Sequence, residues 1–287
     1  MAPSVSAVAA VGGTVPVDIT VCVRPGRRLD PAAGAALVEE LRAVADVCFD
    51  GQAPRYQVLR GAPADLDRAV LALARERTGR LVGFSACLLL PVDGVGEVFH
   101  LGLTCVRPDA RSGGLTHRLL SAAATRYLVW HRPLRGVWVS NVACVLSSLG
   151  NVALHFEDVY PSPFHAGPPS AAQRAIARAI AAHHRDAVAI DPAAVLDEDA
   201  FVLRGSVPGT CFEKRATDAR YHHRDLGLTR WYAERMDFVA GDEVVQVGRM
   251  SIPGALRYGL ARALGRRPVA VPAPRPALSG ALARPPA

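Results

Sequence analysis

The stretch Val106 to Leu120, VRPDARSGGLTHRLL, combines an arginine, a serine and two adjacent glycines between a strand-like and a helix-like segment. A helix start carries N–H groups with no partner in their own helix, and these bind anions. Glycines let a phosphate approach the backbone with no Cβ in the way. Two familiar phosphate loops do not fit. Gly113-Gly114 is not followed by Lys-Ser or Lys-Thr, and no G-x-G-x-x-G run is present. Upstream lies His100, whose imidazole has an ordinary pKa of about 6.5 and suits proton transfer near neutrality. A second reading of His100, as a satisfied half-buried histidine, stays open. Tyr160, in DVYPSP, offers a phenol that serves either as an acid or as core packing.

The elements that must position these residues follow from periodicity. Val17–Pro25 alternates and reads as a strand, and Pro31–Phe49 as a helix with Leu37, Leu41, Val44 and Val47 on one stripe. A second and third strand flank a turn at Thr78-Gly79, and Gly96–Pro108 reads as a fourth strand. Alternation along it places His100 with Gly102 and Thr104, opposite Phe99, Leu101 and Leu103. A helix follows the glycines. Gly136–Asn141 is a fifth strand, with a helix running on to about Asp158. Ser170 and Gln173 form a capping box for the next helix. AFVLRGS and EVVQVGRM read as further strands, the stretch between them as helical or irregular, and Gly254–Arg267 as a basic amphipathic helix.

Strand order, the hairpin TGRLVGF and the run V-R-P-D-A-R-S-G-G-L-T-H-R-L-L resemble the GNAT acyltransferase superfamily. Val106, Pro108, Arg111, Gly114, Leu115 and Leu119 match its motif, whereas Ser112 and Thr116 replace small residues of the pattern. The resemblance implies a mixed, mostly antiparallel α+β sheet flanked by helices, with strands four and five splayed. It implies acyl-CoA binding. The N–H groups of Arg111, Ser112, Gly113, Gly114, Leu115 and Thr116 would hold the pyrophosphate. The backbone of Leu103, Thr104, Cys105 and Val106 would pair with pantetheine like an added strand. Asn141 would contact it from strand five, and an N–H near Leu103 or Thr104 would face the thioester oxygen. His100 lies eleven residues before Arg111, where some relatives carry a glutamate base. The usual acid falls on Ser148, a poor acid, and Tyr160 is the nearby substitute.

The expected activity is therefore transfer of an acyl group, acetyl in the first instance, from acetyl-CoA to a small-molecule amine or peptide, with no metal. A noncatalytic acyl-CoA-binding module and a peripheral membrane or partner-binding protein using the basic helix remain alternatives. Length and composition fit one domain over residues 15–266. Its acyl-CoA core spans about 68–163 and its acceptor-side portion 164–266, ahead of a disordered Pro-rich tail at 267–287. The chain has 287 residues and a net charge of +7, but six arginines and no acid follow Met250, so the body is close to neutral. That distribution argues against nucleic acid as a partner. No apolar run is long enough for stable membrane insertion. Six cysteines with no C-x-x-C pair read as reduced thiols of a cytoplasmic protein. HHRDLG has the letters of a kinase catalytic loop without its companions. The His183-His184 and His222-His223 pairs lack metal-ligand spacing. The oligomeric state is not legible.

Overall fold

The computed structural model describes residues 16–263 apart from 112, 132, 133 and 135, so Ser112 and the expected tail at 267–287 lie outside the described residues. The chain opens with β1 (Val17–Val23) and α1 (Pro31–Cys48). Asp30 caps α1 by accepting from Ala33 N–H at 2.9 Å, and Pro31 takes the first turn, where its missing N–H costs nothing. Leu37, Val38, Leu41, Val44 and Ala45 face the core, while Val47 is 40% exposed and drops out of the expected stripe. Two short helices, α2 (Gln57–Arg60) and α3 (Pro63–Asp67), lead into β2 (Ala69–Glu76) and β3 (Leu81–Val92).

The expected fourth strand is two strands, β4 (Gly96–Leu101) and β5 (Thr104–Val106). After α4 (Leu115–His131) come β6 (Val137–Ala143) and α5 (Leu146–His155). The latter stops at His155, and β7 (Glu157–Tyr160) takes the residues the sequence assigned to its end. Residues 161–242 then form a long excursion holding α6 (Ala171–His183), α7 (Arg185–Val188), β8 (Val195–Asp197), β9 (Val202–Arg204) and α8 (Leu226–Ala233). The Ser170–Gln173 capping box on α6 forms as the sequence predicts. The chain returns as β10 (Glu243–Met250) and α9 (Ile252–Ala263).

All described strands join one sheet in the order β1-β2-β3-β4-β6-β10-β9-β8, with β5 on β3 and β7 on β10. Only β4 and β6 pair in parallel; the other described pairs are antiparallel. The fold is therefore a mixed, mostly antiparallel sheet with helices on both faces. One face is covered by α1, α2, α3, α6 and α7, the other by α4, α5 and α8. Within β10 the alternation is plain. Val245 and Val247 join the first layer, and Val244 joins the α5–α8 layer. No helix among the described residues is long and apolar enough to cross a membrane.

Candidate active site

The site begins with a break in a strand. Residues 98–101 of β4 pair with 138–141 of β6, and residues 104–106 of β5 pair only with β3. Beyond Asn141, β6 continues against β10 alone. The two strands thus separate into a gap at Gly102. On β3, Leu88 faces His100, but Ser85 faces Thr104, so the register moves by one residue across Gly102. An extra residue of this kind bends a strand and increases its twist, which drives β5 away from β6.

That slip corrects the expected alternation. Val98 and His100 share the α1 face with Leu103 and Cys105, not with Gly102 and Thr104. Gly102 is needed for space: a Cβ there would collide with the Ala86 carbonyl and the Tyr56 hydroxyl.

The open edge of β5 follows from its bonds to β3. Leu103 C=O accepts from Ala86 N–H at 2.8 Å, and Arg107 N–H donates to Val82 C=O at 2.9 Å. Backbone groups alternate sides along an antiparallel strand, so those of Thr104 and Val106 turn toward the gap. The Val106 carbonyl is met there by the Cys48 thiol at 3.3 Å and by Arg111 Nε at 3.0 Å. The hydrogen bond with Cys105 and the Arg111 charge hold Cys48 down to about 7, and Cys105 is pushed up by the same contact.

The loop after β5 leads directly to the helix start. Gly113 and Gly114 have φ of 62° and 67°, the left-handed region that costs glycine nothing. Arg118 N–H donates to Gly114 C=O at 3.1 Å, which ties the glycine into the start of α4. The first-turn N–H groups of a helix point out from its N-terminal end, here beside Gly113 and Gly114. A Cβ on Gly114 would meet nothing within 4 Å, so the space beside this start is open. Leu115 is buried and anchors the turn, while Arg111 and Thr116 are exposed.

Of the other expected residues, His100 is 2% exposed, and its Nδ1 lies 3.0 Å from Ser140 Oγ. Burial, with a smaller push from His184, holds it down to about 3, so the ring is neutral at any ordinary pH. Asn141 is buried and donates to Gln246 Oε1 at 3.0 Å, so its amide group is engaged by β10. Tyr160 sits on β7, beyond β6 and β10, with its hydroxyl donating to Asp199 C=O at 3.2 Å. At about 4.8 Å per strand that is roughly 14 Å across the sheet from β4. The structure does not bring Tyr160 to the gap.

Sequence reasoning missed two residues on this face. Tyr56 is 4% exposed, and its buried hydroxyl lies against Gly102, with the Leu103 N–H nearby as a polar partner. Burial, Cys87 and Glu243 push its pKa up, with the Leu103 N–H opposing them. Glu243, at the start of β10, is 7% exposed and accepts from Ser206 Oγ at 2.6 Å. Burial raises it to about 7, and Ser206 and Lys214 pull the other way. Neither residue belongs to a motif, so no spacing marks them; a lone acid opening an apolar strand was the only available signal. Among the described residues, no group of three or more His, Cys, Asp or Glu side chains is arranged to hold a metal ion.

No family model matches the chain, and no curated protein matches it. Solved structures do. A ribosomal-protein-alanine N-acetyltransferase from Brucella melitensis biovar Abortus 2308 aligns over 39% of this chain and 72% of its own, at 22% identity and a TM-score of 0.27. A GNAT family N-acetyltransferase from Escherichia coli, in complex with CoA, aligns over 47% and 67%, at 14% identity and 0.34. An aminoglycoside N-acetyltransferase in complex with CoA aligns over 42% and 74%, at 18% identity and 0.27. Over roughly two fifths of its length, then, the chain is similar to N-acetyltransferases of known structure, a GNAT family member among them.

Proposed function

We propose that this chain is an acyl-CoA-dependent N-acyltransferase that moves an acyl group, acetyl in the simplest case, onto an amine. The observation that carries the reading is one continuous path. The gap-side backbone edge of β5, free of a neighbouring strand at Thr104 and met at the Val106 carbonyl by Cys48 and Arg111, leads within a single loop to the glycine-built start of α4. An extended amide-bearing arm ending in a pyrophosphate fits such a path, with strand-like pairing at one end and the positive end of a helix dipole at the other. Leu103 to Val106 would pair with the arm, and Arg111 to Thr116 would hold the pyrophosphate. Asn141 would reach the arm only by sharing its amide group with Gln246. A small-molecule amine or a peptide would approach from the α1 face, within a cytoplasmic protein.

In the reaction the amine lone pair attacks the thioester carbonyl. An N–C bond forms, the C–S bond breaks, the amine loses one proton and the departing thiolate gains one. On the α1 face, Glu243 is the better placed proton acceptor. It is a buried carboxylate held up to about 7, which can take a proton near neutrality. His100, neutral down to about pH 3 and sealed against Ser140, is too weak a base in its present surroundings. Tyr56, kept protonated and aimed at Gly102, is the candidate donor to the thiolate, ahead of the more distant Tyr160.

Calorimetric titration with CoA and acetyl-CoA tests the reading. We expect micromolar affinity for the wild type and at least a hundredfold loss in Gly114→Asp, which adds a charge and a Cβ at positive φ. Thiol release from acetyl-CoA across a panel of amines separates turnover from binding alone. A well-folded wild type that binds neither ligand would refute the assignment.

A further inference from the structure

The gap between β5 and β6 is filled by the chain itself. Phe212 lies in the excursion between β9 and α8, yet it packs against both the α1-face core and the α5–α8 core. Those cores cover opposite faces of the sheet, so a side chain that touches both sits where the strands part. Its neighbours agree. Its ring meets Phe49, just after α1, edge-on at 5.7 Å. Its carbonyl accepts from the thiol of Cys144, just past β6, at 3.2 Å. Cys211, one residue earlier, is near enough for its charge to raise Cys105 on β5. One dipeptide therefore contacts the residue just past β6 and the residue that ends the helix covering the gap, and lies close to β5.

Most of the polar contacts of the segment are internal to it. Gly209 N–H donates to Glu213 Oε2 at 2.8 Å, and Phe212 N–H to Thr210 Oγ1 at 3.2 Å. Glu213 N–H reaches Thr210 C=O at 3.1 Å, and Lys214 Nζ bonds the carbonyls of Cys211 and Glu213. These bonds close within a few residues and survive if the loop swings. Anchoring to the sheet comes earlier, where Ser206 and Val207 N–H groups both donate to Gly241 C=O. Between anchor and plug lies Gly209, at φ 68°, and two bonds span it: Thr210 N–H and Oγ1 donate to Val207 C=O at 3.1 and 2.9 Å, so the plug leaves the gap only as they break. Across the gap, the Cys144 bond to Phe212 is weak, because a thiol is a poor donor.

We propose that residues 209–214 form a self-inhibitory plug, with Phe212 in the channel that the pantetheine arm of CoA takes, so that plug and CoA exclude one another. The proposal rests on the acyl-CoA reading of the site. Any free energy holding Phe212 in the gap weakens observed CoA affinity by the fraction of molecules with the gap open. Ser206, shortly before the plug, and Lys214, its last residue, connect it to Glu243.

Calorimetry with CoA on wild type and Phe212→Ala, together with hydrogen–deuterium exchange on the wild type, tests this. We expect Phe212→Ala to bind CoA about tenfold more tightly, and saturating CoA to speed exchange in 209–214 while protecting 113–117. Equal affinity in both proteins, with exchange in 209–214 unchanged by bound CoA, overturns the plug and leaves the acyltransferase reading standing. Failure of both proteins to bind CoA overturns the acyl-CoA reading and the plug with it. Should Phe212→Ala fold poorly, the wild-type exchange result decides the matter by its sign.

Discussion

The six residues of β4 and the three of β5 look like one strand in the sequence, yet they have different neighbours. β4 is held on both edges, by β3 and by β6, and His100 within it is closed off from solvent. β5 is held on one edge only, and the backbone of Thr104 and Val106 faces a gap. A single extra residue at Gly102 separates the two regimes. Chemistry that needs a reachable backbone belongs to the second half, and the first half supplies the rigid support for it. A histidine whose type and position suggest catalysis can therefore be closed off from solvent, while a threonine with no catalytic side chain stands on the strand edge where we propose the ligand pairs.

The comparison is sharpest where the two halves respond oppositely to mutation. His100→Leu should show the larger stability effect, because it leaves the buried Ser140 hydroxyl without its partner. A loss of about 1–3 kcal/mol at pH 7.5 is the usual cost. The folded-state pKa of His100 is depressed to about 3 against about 6.5 when unfolded. Between those values the unfolded chain binds a proton that the native state refuses. The wild type is then fully stable above about pH 6.5 and loses stability as pH falls, by about 3 kcal/mol at pH 4. His100→Leu lacks this loss, so the gap between the two proteins should close or invert on acidification, with CoA affinity unchanged. Denaturant titrations from pH 7.5 to 4 measure it. A gap that stays constant with pH, or a tenfold change in CoA affinity, would break the distinction.

A smaller stability effect and a clear binding effect are expected from Thr104→Pro. Proline removes an N–H that the alternation turns to the gap, so no bond to β3 is lost. The stability cost should be about 1 kcal/mol, from losing the hydroxyl's 2.9 Å bond to Ser85. Thr104→Val, which loses the same hydroxyl, serves as the reference. Relative to it, CoA affinity should fall about fivefold in Thr104→Pro, the equivalent of one modest hydrogen bond. A destabilisation several times larger would place that N–H inside the ladder and close the edge.

Much of this was legible in the sequence, and the reason is local. The Pro31 helix start, the Thr78-Gly79 turn, the Ser170–Gln173 capping box and the paired glycines before α4 depend on neighbours a few residues apart. Periodicity found β2, β3, β6 and β10 because their apolar residues mark a buried face. The Val106–Leu119 run pointed to the loop that the structure places between an open strand edge and an open helix start. The bulge at Gly102 was not legible, since glycine in a strand fits a bulge, a bend or a close contact equally. Only the approach of Tyr56 and Ala86 decides among them. The buried state of His100 likewise comes from groups far away in the chain, Ser140 on β6 at 3.0 Å and His184 just past α6 among them. Glu243 owes its raised pKa to burial beside Ser206, and Phe212 its position to an excursion that folds back between two strands. Sequence fixes what a residue and its near neighbours prefer; exposure, proton affinity and the filling of a gap are set by groups that meet only when the sheet closes.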